Sequence, residues 1–95
     1  MDAKEVIESG IGSLGKIKII KALAEEGKLA TIYLLHKKTH LKRGDIKNNL
    51  DDLIKIGWVR QSRYANIVYS INPDDRFVAL FIDYLREVGY IEQLE

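Results

Sequence analysis

The apolar residues of this chain change their spacing at Trp58 and again after Ile71, and those two changes restrict the fold more than any single motif does. Before the first change, Ile46, Leu50, Leu53 and Ile54 recur at steps of four, three and one, which puts them on one face of a helix closed by Gly57. Trp58 to Arg63 and Ile67 to Ile71 are rich in β-branched and aromatic residues, the side chains that suit a pleated, half-buried surface. Asn72-Pro73-Asp74-Asp75 then offers an N-cap amide, a proline for the first helical position and two acids where the helix dipole favours them. A C-terminal helix is predicted over about 73–88, stopped by Gly89.

The register of the hairpin follows from burial. A two-residue loop sets Arg60 opposite Ile71, whereas a three-residue loop of Tyr64, Ala65 and Asn66 sets Val59 opposite Ile71. The second pairing joins two apolar side chains and leaves Asn66 for a left-handed position, so it is the expected one. Tyr69 then shares the core face with Val59 and Ile71. Trp58 fits either the core or a partner surface.

Upstream, Ala3 to Ser9 reads as a short helix interrupted by Gly10-Ile11-Gly12. Ser13 is an N-cap candidate for a helix with Leu14, Ile17, Ile20, Leu23 and Ala24 at helical spacing, ending at Gly27. Leu29-Ala30 is a short extended piece. Thr31 caps a helix to about Lys38 with Ile32 and Leu35 inward, and a turn over Thr39 to Lys42 leads to the next helix. Two helices so joined form a helix-turn-helix over about 31–56, and a hairpin over about 58–71 follows. The expectation is one α+β domain over 1–95, mainly α, built as a winged helix-turn-helix with a two-stranded wing and a C-terminal helix.

Charge narrows the use of that fold. The net charge of +1 hides a segregation: residues 36–64 carry +5 and residues 65–95 carry −4. One face is therefore expected to attract a polyanion. The chain has no cysteine, which excludes disulfides, thiolate metal sites and cysteine nucleophiles. Its longest apolar run, Phe77 to Ile82, is far too short to cross a bilayer, and Met1-Asp2-Ala3-Lys4-Glu5 leads into no signal-like stretch. A cytoplasmic location with no membrane partner is expected.

Three stretches carry a family resemblance. Ser13-Leu14-Gly15-Lys16-Ile17-Lys18-Ile19-Ile20-Lys21-Ala22-Leu23 resembles the first core helix of ArsR- and MarR-type regulators. Leu50-Asp51-Asp52-Leu53-Ile54-Lys55-Ile56-Gly57-Trp58-Val59 resembles the stretch in which their recognition helix ends at glycine and enters the wing. Val68-Tyr69-Ser70-Ile71-Asn72-Pro73 resembles the second wing strand and its exit. The resemblance spans roughly residues 13–88 and is nearest to compact archaeal regulators of this kind. It implies a winged-helix transcription regulator that binds double-stranded DNA. One departure is Lys42-Arg43-Gly44-Asp45, where family members commonly start the recognition helix with Ser or Thr.

On that reading the helix in the major groove presents Arg43, Gly44, Lys47, Asn48 and Asp51 opposite its apolar face, the first four in the turns that reach base edges, with Asp51 and Asp52 expected far enough along the helix to leave the groove. Arg43 suits a guanine edge, Asn48 an adenine edge and Lys47 a base or phosphate, while Gly44 lets the backbone approach closely. Asp45 falls near the third helical position, where it can serve the free amides; a contact to cytosine is the less favoured role. Lys37, Lys38 and Lys42 suit phosphates. Arg60, Arg63, Tyr64 and Asn66 are the wing candidates for the minor groove.

Phe77, Leu80, Phe81, Tyr84, Leu85 and Val88 form an apolar stripe too broad for packing on one side, so a homodimer through this helix is expected, with Val6, Ile7 and Ile11 as further candidates. His36 and His40 have a zinc-compatible spacing, but no acidic neighbour completes a site, and neither a metal nor a cofactor is expected. There is no phosphate loop and no nucleophile–base pattern, so an enzyme is not expected. The alternative function is a winged helix used for protein–protein contact. The sequence names no effector.

Overall fold

A computed structural model describes residues 14–27 and 29–91. The helix expected at Ala3–Ser9, the glycines after it, the Ser13 cap and the interface candidates Val6, Ile7 and Ile11 lie outside the described residues. The elements in chain order are α1 (Leu14–Glu26), α2 (Ile32–Thr39), α3 (Arg43–Lys55), β1 (Val59–Arg63), β2 (Ile67–Ile71) and α4 (Arg76–Glu87). This is a small, mainly helical α+β domain in which an antiparallel hairpin follows three helices, an order compatible with a winged helix.

α1 is the hub, touching α2, α3, β2 and α4. Because it is packed from several directions, its buried arc is wider than one stripe. Ile19 and Ala22 join Ile20, Leu23 and Ala24 inside, Ile17 is half-buried, and Leu14, expected in the core, is exposed. After Gly27 the chain runs beside the hairpin. The Ala30 amide donates to the Tyr69 carbonyl (2.9 Å) and the Tyr69 amide donates back to Ala30 (2.8 Å), a single rung that ties Ala30 to β2.

α3 buries Ile46, Leu50 and Leu53, as its spacing predicts. Removing such a leucine from water stabilises the fold by about 1.5–3 kcal/mol. The helix ends where Gly57 adopts φ 84°, a conformation that costs glycine nothing. The Trp58 amide then donates to Leu53 (3.0 Å) and the Gly57 amide to Ile54 (3.0 Å). Trp58 is buried, its ring 5.8 Å from that of Phe81, which settles its two readings in favour of the core. Among the described residues its indole Nε1 finds no hydrogen-bond partner. Tyr69 is buried as expected.

The strands pair Val59 with Ile71 and Arg63 with Ile67, the register the three-residue loop requires. Asn66, however, does not occupy the left-handed region; among the described residues His40 is the non-glycine residue that does. The loop is closed instead by the Tyr64 amide donating to the Asn66 carbonyl (3.0 Å).

The start of α4 also differs from expectation. Asn72 is not its N-cap, because its side chain is engaged at the base of the hairpin. There Nδ2 donates to the Gly57 carbonyl (2.9 Å) and Oδ1 accepts from the Asp74 amide (3.1 Å). Asp75 supplies the capping chemistry instead, accepting from the Val78 amide (2.9 Å), so α4 begins at Arg76 rather than near Pro73. Val78, Ile82 and Leu85 face the core. Leu85, expected in a subunit interface, is 7% exposed and belongs to the protein's own core. Phe81 is half-buried against Trp58, while Phe77, Leu80, Tyr84 and Val88 are exposed. Gly89, at φ 81°, lets the chain double back, and Ile91 is buried with its amide on the Leu85 carbonyl (3.2 Å). Among the described residues no helix is long and apolar enough to cross a membrane.

Candidate nucleic-acid interface

The turn between α2 and α3 is fastened by side chains as well as backbone. Thr31 opens α2, its hydroxyl accepting from the Leu34 amide (3.2 Å). At the far end the Thr39 hydroxyl donates to the Leu35 carbonyl (2.7 Å) and accepts from the Leu41 amide (3.2 Å). The His36 ring lies 2.7 Å, through Nδ1, from the Leu41 carbonyl. His40 takes φ 61° and donates its amide to His36 (2.9 Å). Non-glycine residues adopt this conformation sparingly, and histidine is among those that tolerate it. Both histidines therefore serve the geometry of the turn. Among the described residues no three His, Asp or Glu side chains are grouped to hold a metal.

That turn delivers Lys42 to the N-cap of α3 without a side-chain cap bond, and Asp45 to its first turn. Arg43, Gly44, Lys47 and Asn48 are all exposed in the first turns of α3; Gly44, Lys47 and Asn48 point away from Ile46, Leu50 and Leu53, whereas Arg43 shares their side of the helix one turn or more ahead of them. A Cβ added at Gly44 would meet nothing within 4 Å, so folding does not require a glycine there. Further along, Asp52 pairs with Lys16 of α1 (3.0 Å), away from the first turns. Asp51, expected beyond the groove, lies 3.0 Å from Lys47, one of the expected contacts. Its hydrogen bond, then its charge, hold the Lys47 ammonium above its ordinary pKa.

Tyr33 is a further member of this surface that apolar spacing and charge do not mark. This side chain is 57% exposed on α2, with the Lys37 ammonium 5.9 Å and the Arg43 guanidinium 5.7 Å from its ring centroid. Cations are drawn to the electron-rich face of an aromatic ring. Tyr33 thus gathers one cation from each of two helices. The signal was present: Tyr33 and Lys37 stand four apart, and Tyr33 lies between the inward positions Ile32 and Leu35.

Tyr33 also walls a groove of about 680 Å³ that separates the start of α2 from the hairpin tip. Its other lining residues are Thr31, Ile32, Arg63, Tyr64, Ala65, Asn66 and Ile67, with no acid among them. Tyr64 is 70% exposed. Of the expected contact residues, Lys37 and Arg43 stand over this ring, and Arg63, Tyr64 and Asn66 line the groove that it walls. Among the described residues no carboxylate forms an ion pair with Lys37, Lys42, Arg43 or Arg63.

Two expected contacts stand apart from this cluster. Lys38 pairs with Glu26 of α1 (3.4 Å), and Arg60 pairs with Asp74 near the base of the hairpin. No protein-family model matches this chain, and no curated protein matches its sequence.

Proposed function

We propose that this protein is a winged-helix transcription regulator that binds double-stranded DNA in a sequence-specific manner as a homodimer. α3 enters the major groove and the β1–β2 hairpin approaches the minor groove. The observation that carries this reading is the pair of cations over Tyr33, whose groove has no acid in its lining, together with the exposed cations in the first turns of α3. Cations without acidic partners need not break an ion pair to meet phosphate, and they make affinity fall steeply with salt. Arg43 and Asn48 are the base-reading residues, with Lys47 exchanging Asp51 for DNA. Lys37, Lys42 and Arg63 contact phosphate or the minor groove.

The resemblance of the three sequence stretches to ArsR- and MarR-type regulators supports the regulatory role. Gel-shift titration of duplex DNA at two salt concentrations tests it. Steep weakening with salt is expected; binding that ignores salt, or no binding to duplex, rejects the reading.

The dimer is supported by the exposed stripe Phe77, Leu80, Tyr84 and Val88. An antiparallel pair of α4 helices with its twofold axis level with Ile82 sets Leu80 against the partner's Tyr84. It also brings the Phe77 end of the stripe towards the partner's Val88 end. Self-complementarity of this kind is what an isologous interface needs. Sedimentation of the wild type and of Leu80→Glu tests it: a dimer and a folded monomer are expected, and equal masses reject the interface.

The rival reading, a protein–protein module, draws on the same apolar stripe and on the internal pairing of Lys38, Lys47 and Arg60. The salt titration separates the two.

A further inference from the structure

The two most exposed aromatic rings near the cationic patch, Tyr33 and Tyr64, line the same groove. Tyr64 occupies the hairpin tip, in a loop closed by a backbone bond to Asn66, so its ring is carried outward on a short, tied support. The lining between the rings is apolar or uncharged apart from Arg63, and Arg63 has no carboxylate partner among the described residues. Lys37 and Arg43 stand over the Tyr33 ring without lining the groove. The groove therefore has two tyrosines and one arginine in its lining and two further cations at Tyr33.

A paired duplex has little use for the middle of that arrangement. Its base faces are covered by stacking, and its minor groove is only about 6 Å wide, which suits a thin cationic tip better than a tyrosine. A strand whose bases are unpaired exposes both its π-faces and its phosphates. Proteins that hold such strands combine aromatic platforms with a cationic track.

We propose that the groove between the start of α2 and the hairpin tip is a binding site for an unpaired deoxynucleotide strand. Tyr64, together with Tyr33, offers stacking surface for bases, while Arg63 on one side and Lys37 on the other hold the flanking phosphates. The inference rests on the DNA-binding reading and refines its substrate class: the preferred target is a duplex that is opened, or readily opened, where it meets the hairpin.

The test is a set of anisotropy titrations at one fixed salt concentration with three labelled DNAs. These are a perfect duplex, the same duplex with a central unpaired bubble, and the single strand. The bubble is expected to bind about tenfold more tightly than the perfect duplex, the scale of a stacked base. Tyr64→Leu and Tyr33→Leu should each bring the ratio of bubble to perfect-duplex affinity close to one, whatever they do to duplex affinity itself, and Tyr64→Phe should retain the ratio. Both tyrosines are exposed, and circular dichroism of each variant serves as the control for folding. Equal affinity for bubble and duplex, or a preference that survives both leucine variants, overturns this site but leaves the duplex reading standing. Failure to bind any of the three DNAs overturns both.

Discussion

α3 and α4 bury the same pattern and expose opposite ones. Their core-facing residues, Ile46, Leu50 and Leu53 in one and Val78, Ile82 and Leu85 in the other, follow the same steps of four and three. Outside, α3 presents Arg43, Gly44, Lys47 and Asn48, whereas α4 presents Phe77, Leu80, Tyr84 and Val88. The inner spacing therefore reports that each helix belongs to the fold and says nothing of what the helix is for. Use is written on the outer face, where folding exerts little demand and a partner's chemistry exerts the rest.

That contrast can be broken or sharpened by substitution. The largest effects belong to the inner faces. Leu50→Ala and Ile82→Ala should each lower unfolding free energy by about 2–5 kcal/mol in denaturant titrations, because each leaves a cavity in a packed interior. A loss below about 1 kcal/mol at either position would mean that its helix is not anchored as described.

Next comes the outer face of α3. Arg43→Ala should weaken binding to a selected DNA site by about 1–3 kcal/mol while leaving thermal stability nearly unchanged. An equal loss on random DNA would make Arg43 a phosphate contact and not a reader of bases.

A smaller effect with a sharper sign is expected at Gly44. Replacing it by alanine should raise stability by up to about 0.5 kcal/mol, less than the helix-interior value because Gly44 lies in the first turn, where the site is open. DNA affinity should fall at the same time. Gains in both would remove the close backbone approach from the interface.

The smallest change in stability is expected for Asp51→Asn. It removes an exposed partner of Lys47, so melting should barely move while DNA affinity rises at low salt. Unaltered affinity would place Lys47 outside the footprint.

Much of the architecture could be read from residue order alone. Thr31 and Gly57 punctuate the helices as expected, and the pairing of Val59 with Ile71 follows from matching apolar partners across a hairpin. What escaped was set by contacts remote in sequence. The side chain of Asn72 was taken up by the Gly57 carbonyl, fifteen residues earlier, and the helix start passed to Asp75. Leu85 looked like one more member of an apolar stripe, since periodicity tells which residues share a face but not where the protein's own packing ends.

The interface was legible in the same uneven way. Charge segregation pointed to residues 36–64, yet Lys38 and Arg60 are ion-paired elsewhere, with Glu26 and Asp74. Tyr33, uncharged and flanked by core positions, carried no electrostatic signal although it organises two of the cations.

The rung between Ala30 and Tyr69 has a mechanical meaning. It fastens the hairpin part-way along to the segment that leads directly into α2, so the arm pivots about an internal fulcrum instead of swinging from its base. Only the stretch beyond Tyr69, about 10 Å at 3.3 Å per residue, is left as a lever. A load applied at the tip passes into the start of α2 as torque, making the hairpin and the helix pair a single hinged tool.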